Sequence, residues 1–335
     1  MKFLKRSLYF FYYLKEADFQ QLNRFFRYSR LKSKKSGITI IVDVICSVYK
    51  YNISIKDYFH FRFYELNDID RIAWAGTGFM YEFQLLMNPK GSREVLENKI
   101  LFLNHFKPFI GRLYSSYDEL KNNPDQTMRL LVNPSERIVL KNSHGQIGAE
   151  VEVIFCKQFT RKSLLLYMKD HKYDLAEEYV IQHPAIMDLS PSGLNTVRIF
   201  TQLNEGRVDI LGARLRISVN SPIDNMAAGN LAAPVNIETG MVNGPGVYSD
   251  ITKEDKETHP ITGKIIVNFV IPHWQEVVEL AKAAAKRSPE NRSVGWDIAV
   301  TTVGPELIEG NHNWCKLLWQ LPVKRGLKSQ LEKYL

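Results

Sequence analysis

Cysteine is scarce in this chain: Cys46, Cys156 and Cys315 are the only three in 335 residues. An odd number at wide spacing excludes a disulfide framework, and no CxxC or paired Cys/His pattern offers a structural zinc site. His312 with Cys315 is a lone pair and reads as packing. This usage suits a reducing, cytoplasmic protein. No uninterrupted apolar run near the N-terminus is long enough to span a bilayer, and no small-residue cleavage site follows it, so neither a transmembrane helix nor a signal peptide is expected. No G-x-S-x-G elbow is present, so no serine nucleophile of that kind is expected. There is no internal repeat and no low-complexity tract. With 45% hydrophobic residues, the chain can bury a large core and build two or three lobes.

What charge there is sits in one place. Residues 1–35 hold ten Lys or Arg against Glu16 and Asp18, which accounts for the whole formal charge of +8. These charges interleave with aromatics, and Leu4, Leu8, Phe11 and Leu14, then Leu22, Phe25 and Phe26, recur near helical spacing. A basic, aromatic amphipathic helix can lie on an anionic membrane surface. A helix packed on its own domain with a solvated basic face has the same pattern. For single-stranded nucleic acid nothing beyond charge and aromatics speaks, and it is not the expected partner.

The most informative stretch is residues 294–313. It reads as a β-hairpin: residues 298–302 are β-branched and apolar, 303–305 signal a turn, and 306–309 form a second strand. Glu309 and Asn311 are two apart and share a strand face. A three-residue loop with Gly304 in a left-handed conformation sets Asp297 opposite Glu309 or Asn311, whereas a two-residue loop sets it on the wrong face. The favoured register converges two carboxylates and an amide oxygen, a donor set suited to Mg²⁺. A solvent-exposed polar hairpin gives the same pattern.

Earlier in the chain, residues 36–115 read as mostly helical, and 122–125 as a loop before a new lobe. Residues 137–141 form a strand ending in Lys141, followed by a polar loop with Gly145 and Gly148 and a second strand over 150–155. Loop amides of this kind can fold over phosphates while the lysine reaches in as a point charge, although a solvated lysine and plain turn glycines fit equally. Residues 175–184 make a short apolar strand with acids at its start and Pro184 at its end, able to join two lobes. Residues 194–201 and 208–217 alternate as two strands around a turn at 204–206; Thr196, Arg198 and Phe200 share one face, and Arg214 and Arg216 share a face of the second. Arginines on sheet faces can clamp phosphate oxygens or serve as exposed salt-bridge partners. Residues 272–287 carry the stripe of a helix, and a last helix begins near Asn313.

These segments, in this order, resemble the ATP-grasp superfamily, and more closely its sugar-transfer-associated family, which is linked to bacterial surface polysaccharides. The resemblance covers about residues 45–325 and is carried by Glu177-Glu-Tyr-Val-Ile-Gln-His-Pro184, Leu194-Asn-Thr-Val-Arg198, Leu215-Arg-Ile217 with Asp224-Asn225, and Gly295-Trp-Asp297 with Glu309-Gly-Asn311. It implies an α+β fold in which two lobes clasp ATP: residues 1–35 as the basic segment, 36–120 helical, 121–180 the small lobe with the Gly loop, and 181–335 the large lobe with the metal site. It implies that Lys141 contacts the α- and β-phosphates under the loop of Gly145 and Gly148. Glu177, Glu178, Tyr179 and Val180 would hold adenine through backbone groups and one nearby acid. Arg198 and Arg216 would stabilise the transferring phosphate, Asn225 would contact the nucleotide, and Asp297, Glu309 and Asn311 would hold Mg²⁺. One departure stands out: Ala227-Ala-Gly229 occupies the place of a Gly-Gly pair. The implied reaction joins a carboxylate to an amine through an acyl phosphate. A nucleotide-binding accessory protein of a glycosyltransferase system and a kinase-like phosphotransferase are the rival readings.

Overall fold

The computed structural model describes residues 2–145 and 151–335. Its first layer is helical. Helix α1 (Lys2–Lys15) leads to α2 (Phe19–Ser33), which starts where Asp18 accepts the amides of Gln20 and Gln21. Helix α3 (Gly37–Tyr51) is capped by Ser36, whose side chain accepts from the Thr39 amide, and stops at Asn52, which adopts a left-handed φ of 56°. Residues 38–46 are rich in β-branched side chains and on propensity alone suit a strand. They are helical because Ile40, Val44, Val48 and Tyr51 recur at helical spacing and bury one face. That face meets an aromatic cluster of Phe25, Tyr58, Phe59, Phe61, Phe63, Tyr64 and Trp74.

Two antiparallel sheets follow. The small sheet has the order β1-β4-β2-β3, from β1 (Tyr114–Ser116), β2 (Arg137–Lys141), β3 (Val151–Phe155) and β4 (Leu175–Glu178). It thus takes its first strand from before residue 121. Helices Pro124–Leu131 and Arg161–Asp170 back it, enclosing Ile138, Leu140, Ile154, Leu164 and Met168. The large sheet has the order β7-β6-β5-β8-β9, from β5 (Val197–Asn204), β6 (Arg207–Ile217), β7 (Leu231–Val235), β8 (Ser293–Thr301) and β9 (Gly304–Asn311). The β5–β6 turn holds Glu205 and Gly206 at φ 49° and 79°, the double left-handed geometry that matches strand twist.

The two faces of the large sheet separate by the period of two. Val197, Ile199, Ala213, Leu215, Trp296, Ile298 and Val300 pack against helix Trp274–Arg287, which buries Trp274, Val277, Val278, Ala281, Ala284 and Ala285. The other face carries the charged residues described below. After β4 the chain crosses to the large sheet: Gln182 bridges Thr301, and the His183 amide donates to the Val300 carbonyl at 2.8 Å. Residues 175–184 therefore link the sheets, and only their first four form a strand. The helix expected from near Asn313 begins at Lys316, and a further short helix, Lys328–Glu332, follows it.

His60 lies inside the helical layer beside Phe25, with ring centroids 5.4 Å apart, and its Nδ1 has no protein partner. Burial pulls its imidazolium pKa from 6.5 down to about 4. The unfolded chain then binds the proton first, so folding stability falls as pH drops from 6.5 toward about 4, by about 3 kcal/mol in total. Urea unfolding of wild type and His60→Gln at pH 7 and pH 4.5 checks this: the variant should lose distinctly less stability across the interval.

Candidate functional site

The polar face of the large sheet is built around Asp297. Arg198 and Asp297 are direct partners between β5 and β8, and so project from the same face. The Arg198 fork grips the carboxylate with both arms, Nη2 donating to Oδ2 at 2.7 Å and Nε to Oδ1. Arg216, on β6, donates through Nη1 to the same Oδ2 at 2.6 Å, and its Nη2 lies 2.7 Å from Asp224 Oδ1. Asp224 in turn accepts the Thr196 amide at 2.7 Å and hydroxyl at 2.6 Å. Asp297 is 1% exposed. Burial pushes its carboxyl up, but the two guanidiniums outweigh that and hold it well below the usual range. Arg216 responds in reverse: burial pulls it down, and Asp224 and Asp297 raise it above its ordinary value.

The register that brings the acids together differs from expectation. Thr301 pairs with Gly304, so the hairpin turn has two residues, Thr302 and Val303. Such a loop alone would put Asp297 out of phase with Glu309. A bulge at Ile308 corrects it: Ile298 still faces Leu307, but Asp297 faces Glu309 and Gly295 faces Asn311. Gly304 sits at φ 135°, where a side chain would be strained. Asn311 Nδ2 donates to Glu309 Oε1 at 3.1 Å. Glu309 is reached by solvent in the cleft, yet the protein around it, and then the neighbouring Asp297 carboxylate, push its carboxyl above the ordinary range. Among the described residues no group of three or more His, Cys, Asp or Glu is placed to hold a metal. The oxygen atoms here come from two carboxylates and an amide, and both Asp297 oxygens are engaged by Arg198 and Arg216.

The facing wall belongs to the small sheet. Lys141, at the end of β2, lies 2.7 Å from Glu177 Oε1. The other oxygen of Glu177 accepts from Arg112 Nε at 2.6 Å. Burial raises the Glu177 carboxyl, but Arg112 and Lys141 overcome it and bring it down to about 2. Arg112 also reaches the large sheet, donating from Nη1 to the Leu307 carbonyl at 3.0 Å and lying 3.4 Å from Glu306 Oε2. Glu306 Oε2 collects the amides of Gly111 and Arg112 as well. A buried chain of charge, Lys141–Glu177–Arg112–Glu306, thus ties one sheet to the other. Lys99 adds a second ammonium: its Nζ donates to the carbonyls of Asn142, at 2.9 Å, and Gly145. Burial and then the Lys141 charge lower its pKa, while Glu309 of the large sheet and Glu177 of the small sheet oppose them.

The remaining expected residues fall as follows. Glu178 accepts the Leu113 amide at 3.2 Å, Tyr179 stacks under the Arg137 guanidinium at 5.3 Å, and Val180 is buried. The Asn225 side chain is spent on the Ala227 amide within the turn Met226–Ala228, while its neighbour Asp224 enters the charged cluster. Gly148 lies outside the described residues. Arg214 leaves the cluster and donates to the Trp319 carbonyl. His312 lies 2.8 Å from Glu97, and Trp314 packs on Phe200 and Trp319. Sequence reasoning missed Lys99, Arg112, Glu306 and the role of Asp224. Arg112 follows Gly111 in the link before β1, and no spacing rule joins it to Glu177 and Glu306; only their pairing in space does.

Residues 79–334 match the family described as Sugar-transfer associated ATP-grasp. No curated protein matches the chain. Among solved structures it is similar to an L-amino acid ligase from Bacillus licheniformis (12% identity, TM-score 0.40, covering 71% of this chain and 49% of that one). It is also similar to a D-alanyl-alanine synthetase A from Vibrio cholerae (12%, 0.39, 71% and 61%) and to the D-cycloserine synthetase DcsG (10%, 0.42, 77% and 78%). The chain therefore spans about half the length of the first of these.

Removing Arg112 takes a buried guanidinium from two buried carboxylates, leaving Glu177 with Lys141 and Glu306 with two backbone amides. Arg112→Ala is expected to cost about 3–5 kcal/mol of folding stability. Urea denaturation measures it, and a loss below about 1 kcal/mol, the range of an exposed pair, would contradict the buried bridge.

Proposed function

The chain belongs to the sugar-transfer associated ATP-grasp family, and from that premise we propose that it is an ATP- and Mg²⁺-dependent carboxylate–amine ligase. The observation that supports the reading is charge set against charge: Glu309, paired across the hairpin with Asp297, acts on the Lys99 ammonium, which also feels Lys141. Oxygen ligands on one side and ammoniums on the other suit a triphosphate bound with its metal. Asp297, Glu309 and Asn311 would hold Mg²⁺, which when bound neutralises charge on the phosphates. Lys141 and Lys99 orient the phosphates, with the carbonyl contacts of Lys99 keeping residues 142–145 close over them. Arg198 and Arg216, already fixed by Asp297 and Asp224, present cationic groups where negative charge develops on the transferred phosphoryl group. Glu177, Glu178, Tyr179 and Val180 would line the nucleotide end, and Gly145 and Asn225 would belong to the enclosing loops.

In this reaction a substrate carboxylate oxygen attacks the γ-phosphorus and ADP leaves. An amine then attacks the acyl carbon, phosphate departs, and the amine loses a proton to give the amide. Phosphoryl transfer asks for positioning and charge neutralisation more than for a protein nucleophile. The substrates are an amino acid or amine and a sugar acid or glycan precursor of bacterial surface polysaccharide, handled in the cytoplasm beside the membrane. The Ala227-Ala-Gly229 segment keeps open a second reading, a nucleotide-binding accessory protein, and the same ATP site could also serve a phosphotransferase. Mass spectrometry of products separates amide, phosphoester and no product.

Purified protein should release phosphate from ATP only with Mg²⁺ and a carboxylate–amine pair; EDTA and Glu309→Ala should each abolish release, and undiminished turnover by the variant would discard the assignment. Lys99→Ala should raise the KM for ATP about tenfold or more, the loss of one charge-assisted contact. Steady-state kinetics at saturating acceptor measures it.

A further inference from the structure

Two surface features of the helical layer take no part in the cleft. On α1, Leu4, Leu8, Phe11 and Tyr12 recur at helical spacing and are exposed, Leu8 to 63% and Phe11 to 67%. On α3, Ile38, Ile41, Val42 and Ile45 do the same, Ile38 at 78% and Ile41 at 52%. Two apolar stripes on adjoining helices are more than the scattered hydrophobics of an ordinary surface. Their directions agree. Tyr49 continues the α3 stripe one turn further, and α1 lies upon it: Arg6 donates to the Tyr49 carbonyl, and Phe10 packs on its ring at 5.9 Å. Leu8 is two positions from both Arg6 and Phe10, and so points away from that contact. The α1 stripe therefore looks outward over the same side of the layer as the α3 stripe.

Charge identifies the occupant. Residues 1–35 carry the whole net charge of the chain. Lys15, Arg27 and Lys34 are exposed and have no acidic partner among the described residues. Of the two acids in this segment, Asp18 is spent capping α2. No helix of the described residues is long and apolar enough to cross a membrane. We propose that α1 and α3 form a docking face that lies in the surface of an anionic lipid bilayer, with Leu4, Leu8, Phe11, Ile38, Ile41 and Ile45 inserted and the unpaired Lys15, Arg27 and Lys34 on the headgroups. A second copy of this chain is disfavoured on the same face, since it would bring two like-charged segments together. Apolar insertion and headgroup attraction are the two components of such binding. The inference is independent of the ATP reaction and stands or falls without it.

The full chain is mixed with vesicles of phosphatidylglycerol and phosphatidylcholine, or of phosphatidylcholine alone, and bound protein is read by flotation. Binding should require the anionic lipid and weaken in 0.5 M NaCl, by the screening of exposed charge. Leu8→Glu with Ile41→Glu should lower partitioning by about tenfold or more, since each change removes an inserted side chain. Circular dichroism confirms that the variant folds, which the exposure of both sites favours. Failure to bind anionic vesicles, equal binding to both compositions, or undiminished binding by the folded variant would overturn the proposal. So would sedimentation showing a dimer that the same changes dissolve.

Discussion

A carboxylate cut off from water has to be matched by positive charge at close range, and Asp297 makes that demand at the centre of the large sheet. The answer comes from neighbouring strands. Antiparallel pairing sets Arg198 directly across from it, and Arg216 closes from the next strand with Asp224 behind. Because the sheet sets the spacing, the guanidiniums are held in place before any ligand arrives. Organised charge of this kind is what a reaction that builds up negative charge requires. Glu309, opposite Asp297, is the less compensated member: burial and then the Asp297 charge raise its carboxyl.

The same requirement holds the two sheets together. Glu177 on the small sheet and Glu306 on the large one are both buried, and Arg112 lies between them. Lys141 completes the set on the small-sheet side. The cleft is thus bounded by ion pairs whose partners come from different lobes, so the arrangement of the walls and the neutralisation of their charges are one problem. The chain crossing between the sheets at Gln182 and His183 adds backbone bonds to the same junction.

The helical layer is organised on other terms. Its interior is largely aromatic, with Asp57, His60 and Arg71 buried among the rings, and its outer surface keeps apolar stripes. Charge beside Asp297 is buried and paired, whereas on α1 and α2 Lys5 and Arg24 find acidic partners and Lys15 and Arg27 are exposed without one among the described residues. The first arrangement suits a small, highly charged ligand held in fixed geometry, and the second suits a diffuse, fluid surface.

Much of this was written in the order of residues. The period of two in residues 194–201 and 208–217 placed Arg198 on the polar face, the amphipathic stripe of 272–287 marked the backing helix, and the two-residue spacing of Glu309 and Asn311 put them on one face, with Asp297 across from Glu309. These are local patterns, and local geometry enforces them. Other features depended on packing. The loop at Thr302–Val303 is one residue shorter than the favoured one, and Asp297 meets Glu309 only because Ile308 bulges, a compensation no propensity encodes. The β-branched run at 38–46 is a helix because one face found an aromatic core. Lys99, Arg112 and Glu306 became site residues by lying near partners up to 195 positions away. Side-chain periodicity is a property of the backbone and can be read from the chain, but which distant charges share a buried volume is settled only when the lobes close upon each other.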